Sequence, residues 1–252
     1  MSELLVTNEG SIRFLTLNRP EKRNALNEGL ITSLKSALRE ADAEDSLRAV
    51  VIRGAGDDFC SGADLSALQK IAESSFEENL EDARGLMDLF VLLRQIRIPV
   101  VAAVHGRALA GGAGLASGCD VVLASRNARF GYPEVKIGFV PAMVMAILRR
   151  NMPEKLAFEI ATRGFDFDAE TAQRYGLVNQ VLEEVGFDDS VLEYVSVYEK
   201  LSRSAVEMTK QLLYSMDGRS FVDAVGLGAE ANARARMTED CQRGIARFLK
   251  KS

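Results

Sequence analysis

The sequence predicts an α/β body followed by a helical C-terminal part, and three observations carry that expectation. Apolar, β-branched runs alternate with helix-periodic stretches through about the first 140 residues. Beyond residue 141 the strand signals thin to one. No low-complexity linker or clean repeat divides the chain, so it reads as a core over residues 1–195 with a helical region over 196–252.

The elements follow in order. "IRFLTLN" (12–18) alternates as a strand does and is stopped by Arg19-Pro20. Asn27 is a good N-cap for a helix with Leu30, Ile31, Leu34, Leu38 and Ala41 on one face. "LRAVVIRGAG" (47–56) reads as a buried strand ending in glycines, and "FEENLEDARGLMDLFVLLRQI" (76–96) as a helix whose acidic start suits its dipole. "PVVAAVHG" (99–106) is another buried strand, and a Gly/Ala run leads from it into a helix before the strand "CDVVLAS" (119–125). Afterwards "MVMAILRR", "PEKLAFEIATR", "DAETAQRYG", "SVLEYVSVYEKLSR", "AVEMTKQLLYSM" and "FVDAVGLGAEANARARM" favour helix, with "GLVNQVL" (176–182) the one further strand.

Composition narrows the function classes. A net charge of −5 disfavours nucleic acid or an anionic membrane as the main partner. Cys60, Cys119 and Cys241 are widely spaced, which reads as free thiols in a reducing compartment. The N-terminus lacks the pattern of a signal peptide, and no apolar stretch approaches the roughly 20 residues that span a bilayer. The expectation is a soluble cytoplasmic protein, or a mature form whose targeting segment has been removed.

Several chemistries fail on the residues they need. A nucleophilic triad has only His105 as its histidine, no G-x-S-x-G elbow is present, and His105 at a strand end reads as a satisfied structural histidine. A pairing with Cys60, Ser61 or Ser117 stays open on counting alone. One histidine and three scattered cysteines do not make a metal site, and neither phosphate-loop glycine motif occurs. What remains is "HGRALAGGAGLASGCD" (105–120) beside "DFCSGADL" (58–65). Each follows a strand, tightens at glycine and opens toward a helix. Two free amides on such turns can converge on one oxygen and form a backbone oxyanion hole, and small residues let the substrate approach.

Five segments in order carry a more specific likeness. "NRPEKRNAL" (18–26), "DFCSGADL", "VHGRALAGGAGLASGCDVVLAS" (104–125), "FGYPEVKIGFVP" (130–141) and "DAETAQRYGLVNQV" (168–181) resemble successive motifs of the enoyl-CoA hydratase/isomerase, or crotonase, family. The resemblance runs from about residue 4 to the C-terminus. It implies a crotonase-like spiral of ββα units with a C-terminal helical trimerisation region. It also implies a homotrimer or a hexamer built as a dimer of trimers, and an acyl-CoA thioester substrate with no separate cofactor, metal, nucleic-acid or membrane partner.

The resemblance further implies roles for particular residues. The amides of Ala63 and Gly111 would hold the thioester oxygen, and Glu134 would be the catalytic acid/base. Lys22, Arg23, Ala25, Asp64 and Leu65 would lie along the substrate, with Phe248 and Lys251 reaching CoA from the C-terminus. Asp64 also reads as a cap for a following helix, and Glu134 as an ion-pair partner of Lys136 or a nearby arginine. Met143 and Met145 line an acyl pocket or fill core.

Two positions depart from the family pattern. Two-glutamate hydratases place a carboxylate three residues beyond the oxyanion glycine, where this chain has Gly114, and the family's "PGxGG" stretch is "PAMVMA" (141–146) here. Gly114 would leave room for a bulkier substrate or for a backbone-held water. The expected reaction is hydration of a 2-enoyl thioester. The alternatives are 3,2-double-bond isomerisation by Glu134 alone, a non-catalytic protein on the same scaffold, and a Ser/His peptidase that would require His105.

Overall fold

The computed structural model describes residues 2–64, 71 and 73–250. Strands β1 (Leu4–Glu9) and β2 (Ile12–Leu17) form a hairpin whose turn begins at Gly10, with φ +57°. Four further strands, β3 (Ala49–Gly54), β4 (Val100–Val104), β6 (Val121–Ser125) and β9 (Gln180–Leu182), add in parallel. The resulting six-stranded sheet has the order β1-β2-β3-β4-β6-β9. A second sheet joins β5 (Arg107–Leu109), β7 (Arg129–Gly131) and β8 (Asp166–Asp168), with β7 central.

Side-chain alternation divides the apolar residues between the two faces of the large sheet. Leu15, Leu17, Val50, Ile52, Val100, Ala102 and Val104 enter the main core, beneath helices α1 (Glu28–Ala43), α2 (Phe76–Gln95) and α3 (Gly111–Gly118). Ile12, Phe14, Ala49, Val51, Val101 and Ala103 face the other way and meet Phe187, Val191 and Val195 of α7 (Phe187–Ser196). Asn27 caps α1 as expected, accepting the Leu30 N–H at 2.7 Å. Ser75 and Glu78 form a reciprocal capping box at the start of α2.

Between β7 and β9 lie α4 (Ala142–Asn151), α5 (Glu154–Arg163) and α6 (Ala169–Arg174). The chain ends in α8 (Arg203–Ser215), α9 (Phe221–Arg236) and α10 (Glu239–Leu249). One buried polar cluster ties α8 to the sheet. Lys210 Nζ donates to Asp120 Oδ2 at 2.6 Å and to the Ile98 carbonyl at 3.0 Å. Tyr214 Oη donates to Asp120 Oδ1 at 2.6 Å, and the Val100 N–H to Oδ2 at 2.7 Å. Burial lowers the Lys210 pKa, and the Asp120 charge opposes that shift. Helices α9 and α10 bury no residue of their own, and Phe221, Val222, Val225 and Phe248 are exposed.

Candidate active site

The two glycine-containing turns are stitched together by backbone. Cys60 N–H donates to the Arg107 carbonyl at 2.9 Å, and the Cys60 carbonyl accepts from Leu109 N–H at 3.0 Å. Two residues on, Leu26 N–H donates to the Gly62 carbonyl at 2.7 Å, and Asp64 N–H to the Leu26 carbonyl at 3.1 Å. A parallel bridge of this form uses the amides on either side of Ala63 on its inner edge. The Ala63 N–H therefore points outward, and it donates no hydrogen bond among the described residues.

Gly62, with φ +94°, brings that turn against the start of α3. A Cβ built there would lie 2.9 Å from Ala110 Cβ and 3.5 Å from Gly111 N, so only glycine allows this approach. Ala110 itself is held at φ +48°, ψ −123°, a conformation costing a non-glycine residue about 1–3 kcal/mol. Its N–H bonds the Gly131 carbonyl and its own carbonyl accepts from Gly114 N–H, each at 2.9 Å, which fixes the bend. Gly111 is the first residue of α3, and its N–H is one of the helix's unsatisfied donors. The fold thus sets two amides, of Ala63 and Gly111, on adjoining turns, neither with a hydrogen-bond partner among the described residues.

Glu134 sits in a 3₁₀ turn, Pro133–Ile137, which Gly138 closes at φ +79°. It is half-buried, and its Oε2 is fully buried with no hydrogen-bond partner among the described residues. Desolvation raises its pKa above the ordinary glutamate value, and its own backbone amide offsets this in part. It forms no ion pair with Lys136 or with any arginine among the described residues. The preceding residue, Tyr132, is buried and its Oη lies 3.2 Å from Ser117 Oγ, so the Glu134 turn is pinned to α3. Such an arrangement suits a carboxyl group that exchanges a proton with a substrate.

The other expected residues distribute unevenly. Lys22 and Arg23 are exposed at the end of the 3₁₀ turn Pro20–Lys22. Ala25 is buried, and its carbonyl accepts from Arg19 Nη1 at 2.6 Å. Asp64 is buried, and its carboxylate pairs with Arg19 Nη2 at 2.6 Å. Phe248 is exposed on α10. Leu65 and Lys251 lie outside the described residues, as does any helix beginning directly after Asp64.

Gly114 needs a correction. Its backbone is helical, yet the space beside it is neither open nor polar. A Cβ there would fall 2.6 Å from Val144 Cγ1 and 3.0 Å from Phe90 Cζ. The room or held water expected there is replaced by hydrocarbon. His105 Nε2 contacts the Gly56 carbonyl at 2.8 Å and its ring meets Phe187 edge-on, with no hydrogen bond to a serine or cysteine among the described residues. Ser117 Oγ is taken by the Ala113 carbonyl and Tyr132, and burial pushes the Cys60 thiol up to about 12. No nucleophilic triad assembles from them.

Sequence reasoning missed Arg19 and Asn24. Asn24, with φ +54°, accepts from Arg19 N–H at 2.9 Å and donates to the Ala55 and Asp58 carbonyls at 2.8 and 2.7 Å. That side chain holds the 18–26 segment against the turn before Cys60. Its signal was modest: asparagine tolerates positive φ better than other non-glycine residues.

Comparison with known proteins bears on the same features. A sequence profile described as enoyl-CoA hydratase/isomerase matches residues 7–252. The chain belongs to this family. A putative enoyl-CoA hydratase of Thermus thermophilus is 39% identical over 243 residues, covering 96% of each chain. The 2,3-dehydroadipyl-CoA hydratase of Escherichia coli is 36% identical, covering 100% of this chain and 97% of the relative. The crystal structure of an enoyl-CoA hydratase from Mycobacterium smegmatis superposes with a TM-score of 0.94 at 33% identity, over 99% of this chain and 96% of the other. The two sheets and the trailing helices are therefore the crotonase fold, with its C-terminal helices in place.

Proposed function

We propose that this member of the family acts on an acyl-CoA thioester. In this reading the amides of Ala63 and Gly111 hold the thioester oxygen as negative charge develops on it, and Glu134 moves a proton at the α-carbon. Each amide would contribute about 3 kcal/mol to the transition state if it acts as other oxyanion donors do. The single observation that carries the reading is the buried Oε2 of Glu134, without a hydrogen-bond partner among the described residues, on a turn pinned to the helix that begins with Gly111. CoA enters as part of the substrate, and Lys22 and Arg23 would lie along its CoA moiety. No separate cofactor is needed.

Two reactions share this step. The names of the hydratase relatives support addition of water to a 2-enoyl thioester, in which the water oxygen bonds carbon 3 and a proton is delivered to carbon 2. The surroundings of Gly114 favour a second reading, relocation of a double bond from position 3 to position 2. There the Glu134 carboxylate takes a proton from carbon 2, the electron pair passes to the thioester oxygen, and the same proton returns at carbon 4. Assaying 2-enoyl and 3-enoyl thioesters side by side tests the proposal. Turnover of neither would return the chain to a non-catalytic role on this scaffold.

The apolar faces of α9 and α10 support a homotrimer or a dimer of trimers. No helix among the described residues is long and apolar enough to cross a membrane.

A further inference from the structure

The two departures from the family pattern, at 114 and in the 141–146 stretch, touch in the fold. Val144 falls on the middle glycine of "PGxGG", and its Cγ1 occupies the place where a side chain at 114 would begin. Gly111 and Gly114 are three residues apart and share a face of α3, so a side chain at 114 would lean back toward the Gly111 amide. The atoms nearest that face are hydrocarbon. Leu26 Cδ1 and Leu86 Cδ2 stand 3.5 and 3.8 Å from a Cβ built on Gly111, with Val144 and Phe90 beside Gly114. One turn further on, Gly118 meets Leu93, Ile147 and Phe90. A water held for attack needs two to four polar partners, and this wall offers none among its nearest atoms.

We propose that Val144, backed by Phe90, determines reaction specificity by walling off the position from which a water would attack carbon 3. The proposal rests on the reading of Glu134 as the proton carrier. Water addition is then slow at this site, and proton relocation by Glu134 alone is the faster path. The absent carboxylate and the added valine are one change in two places: filling the space at 114 with Val144 makes the wall dry and keeps it packed.

The test compares the parent with Val144→Ala, Gly114→Glu, the double variant and Val144→Thr, using crotonyl-CoA for hydration and a 3-enoyl-CoA for isomerisation. Gly114→Glu alone should fail to gain hydration, because its Cβ collides with Val144. The double variant should hydrate roughly 10-fold faster than Val144→Ala, less than the 10²–10⁴ typical of an evolved acid or base, and should add an ionisation to the pH profile. Val144→Thr keeps the shape and adds a hydroxyl, so it should raise the ratio of hydration to isomerisation even if the glutamate variants do not fold. The proposal is overturned if the parent hydrates faster than it isomerises, if Gly114→Glu alone matches the double variant, or if threonine leaves the ratio unchanged. Exchange of α-protons of butyryl-CoA with deuterated water separates the underlying reading. If Glu134→Gln abolishes exchange while the position-144 series stays flat, the wall falls and Glu134 stands. If Glu134→Gln exchanges as the parent does, both fall.

Discussion

At Glu134, burial of a carboxylate oxygen without a partner disfavours the charged form of the folded protein. The sign follows from linkage. With its folded pKa above its unfolded one, the native state binds more protons in between, so stability falls as pH rises through that window. Glutamine removes the titration. Glu134→Gln should therefore melt higher than the parent at about pH 7.5 and lose that advantage near pH 4, while turnover drops about 10²–10⁴-fold. Melting curves at both pH values and steady-state kinetics check this, and an equal melting shift at both would remove the assignment of strain to this carboxylate. Glu134, Ala63 and Gly111 could be singled out as candidates because each sits in a contiguous motif. The contact of Val144 with Gly114 was not, since it joins residues on two helices whose crossing no local pattern specifies.

The proposed chemistry depends most on α3, whose first residue, Gly111, carries one of the two amides assigned to the thioester oxygen. Proline is tolerated at the first position of a helix, because the N–H it lacks has no intrahelical acceptor. Gly111→Pro should thus keep the circular dichroism of the parent while lowering kcat/KM by about 10²-fold or more, the effect of losing one oxyanion donor. A folded variant with parental kcat/KM would move the oxyanion site elsewhere. Strands β5, β7 and β8, which place this helix, escaped the sequence reading because three residues hold too little alternation to detect. Strand β1 escaped because only Leu4 is buried, leaving an exposed run with no periodicity. Helices α1, α2 and α9 were read nearly to their ends, since their caps and apolar stripes are local properties of the chain, whereas α10 was not read.

Across the whole molecule, the body can bury its own apolar surface and the last two helices cannot. Helix α9 presents Phe221, Val222 and Val225 to solvent and buries none of its 16 residues, too little to hold a helix on its own contacts. Replacing Phe221 and Val225 with aspartate should convert an assembled protein to monomers, read by sedimentation velocity at about 10 µM, well inside the range where a sizeable apolar interface stays closed. Unchanged sedimentation would exclude this face as the contact. The α/β body and helical tail were visible in the order of strand and helix signals. The packing of the tail against the body was hidden, because it depends on Lys210 and Asp120, 90 residues apart.

That pairing sets an order of events during synthesis. Asp120 lies at the entry to β6 and its carboxylate accepts from the N–H that opens β4, so both central strands depend on it. Until Lys210 and Tyr214 leave the ribosome, this charge has no cation, and the Ile98 carbonyl lacks the Lys210 donor. A nascent chain stopped before α8 already holds every strand of the large sheet, with the Asp120 carboxylate still open to the water that Lys210 and Tyr214 later replace. Helix α8 thus brings the cover and the cation together, so this carboxylate is never buried without its partner.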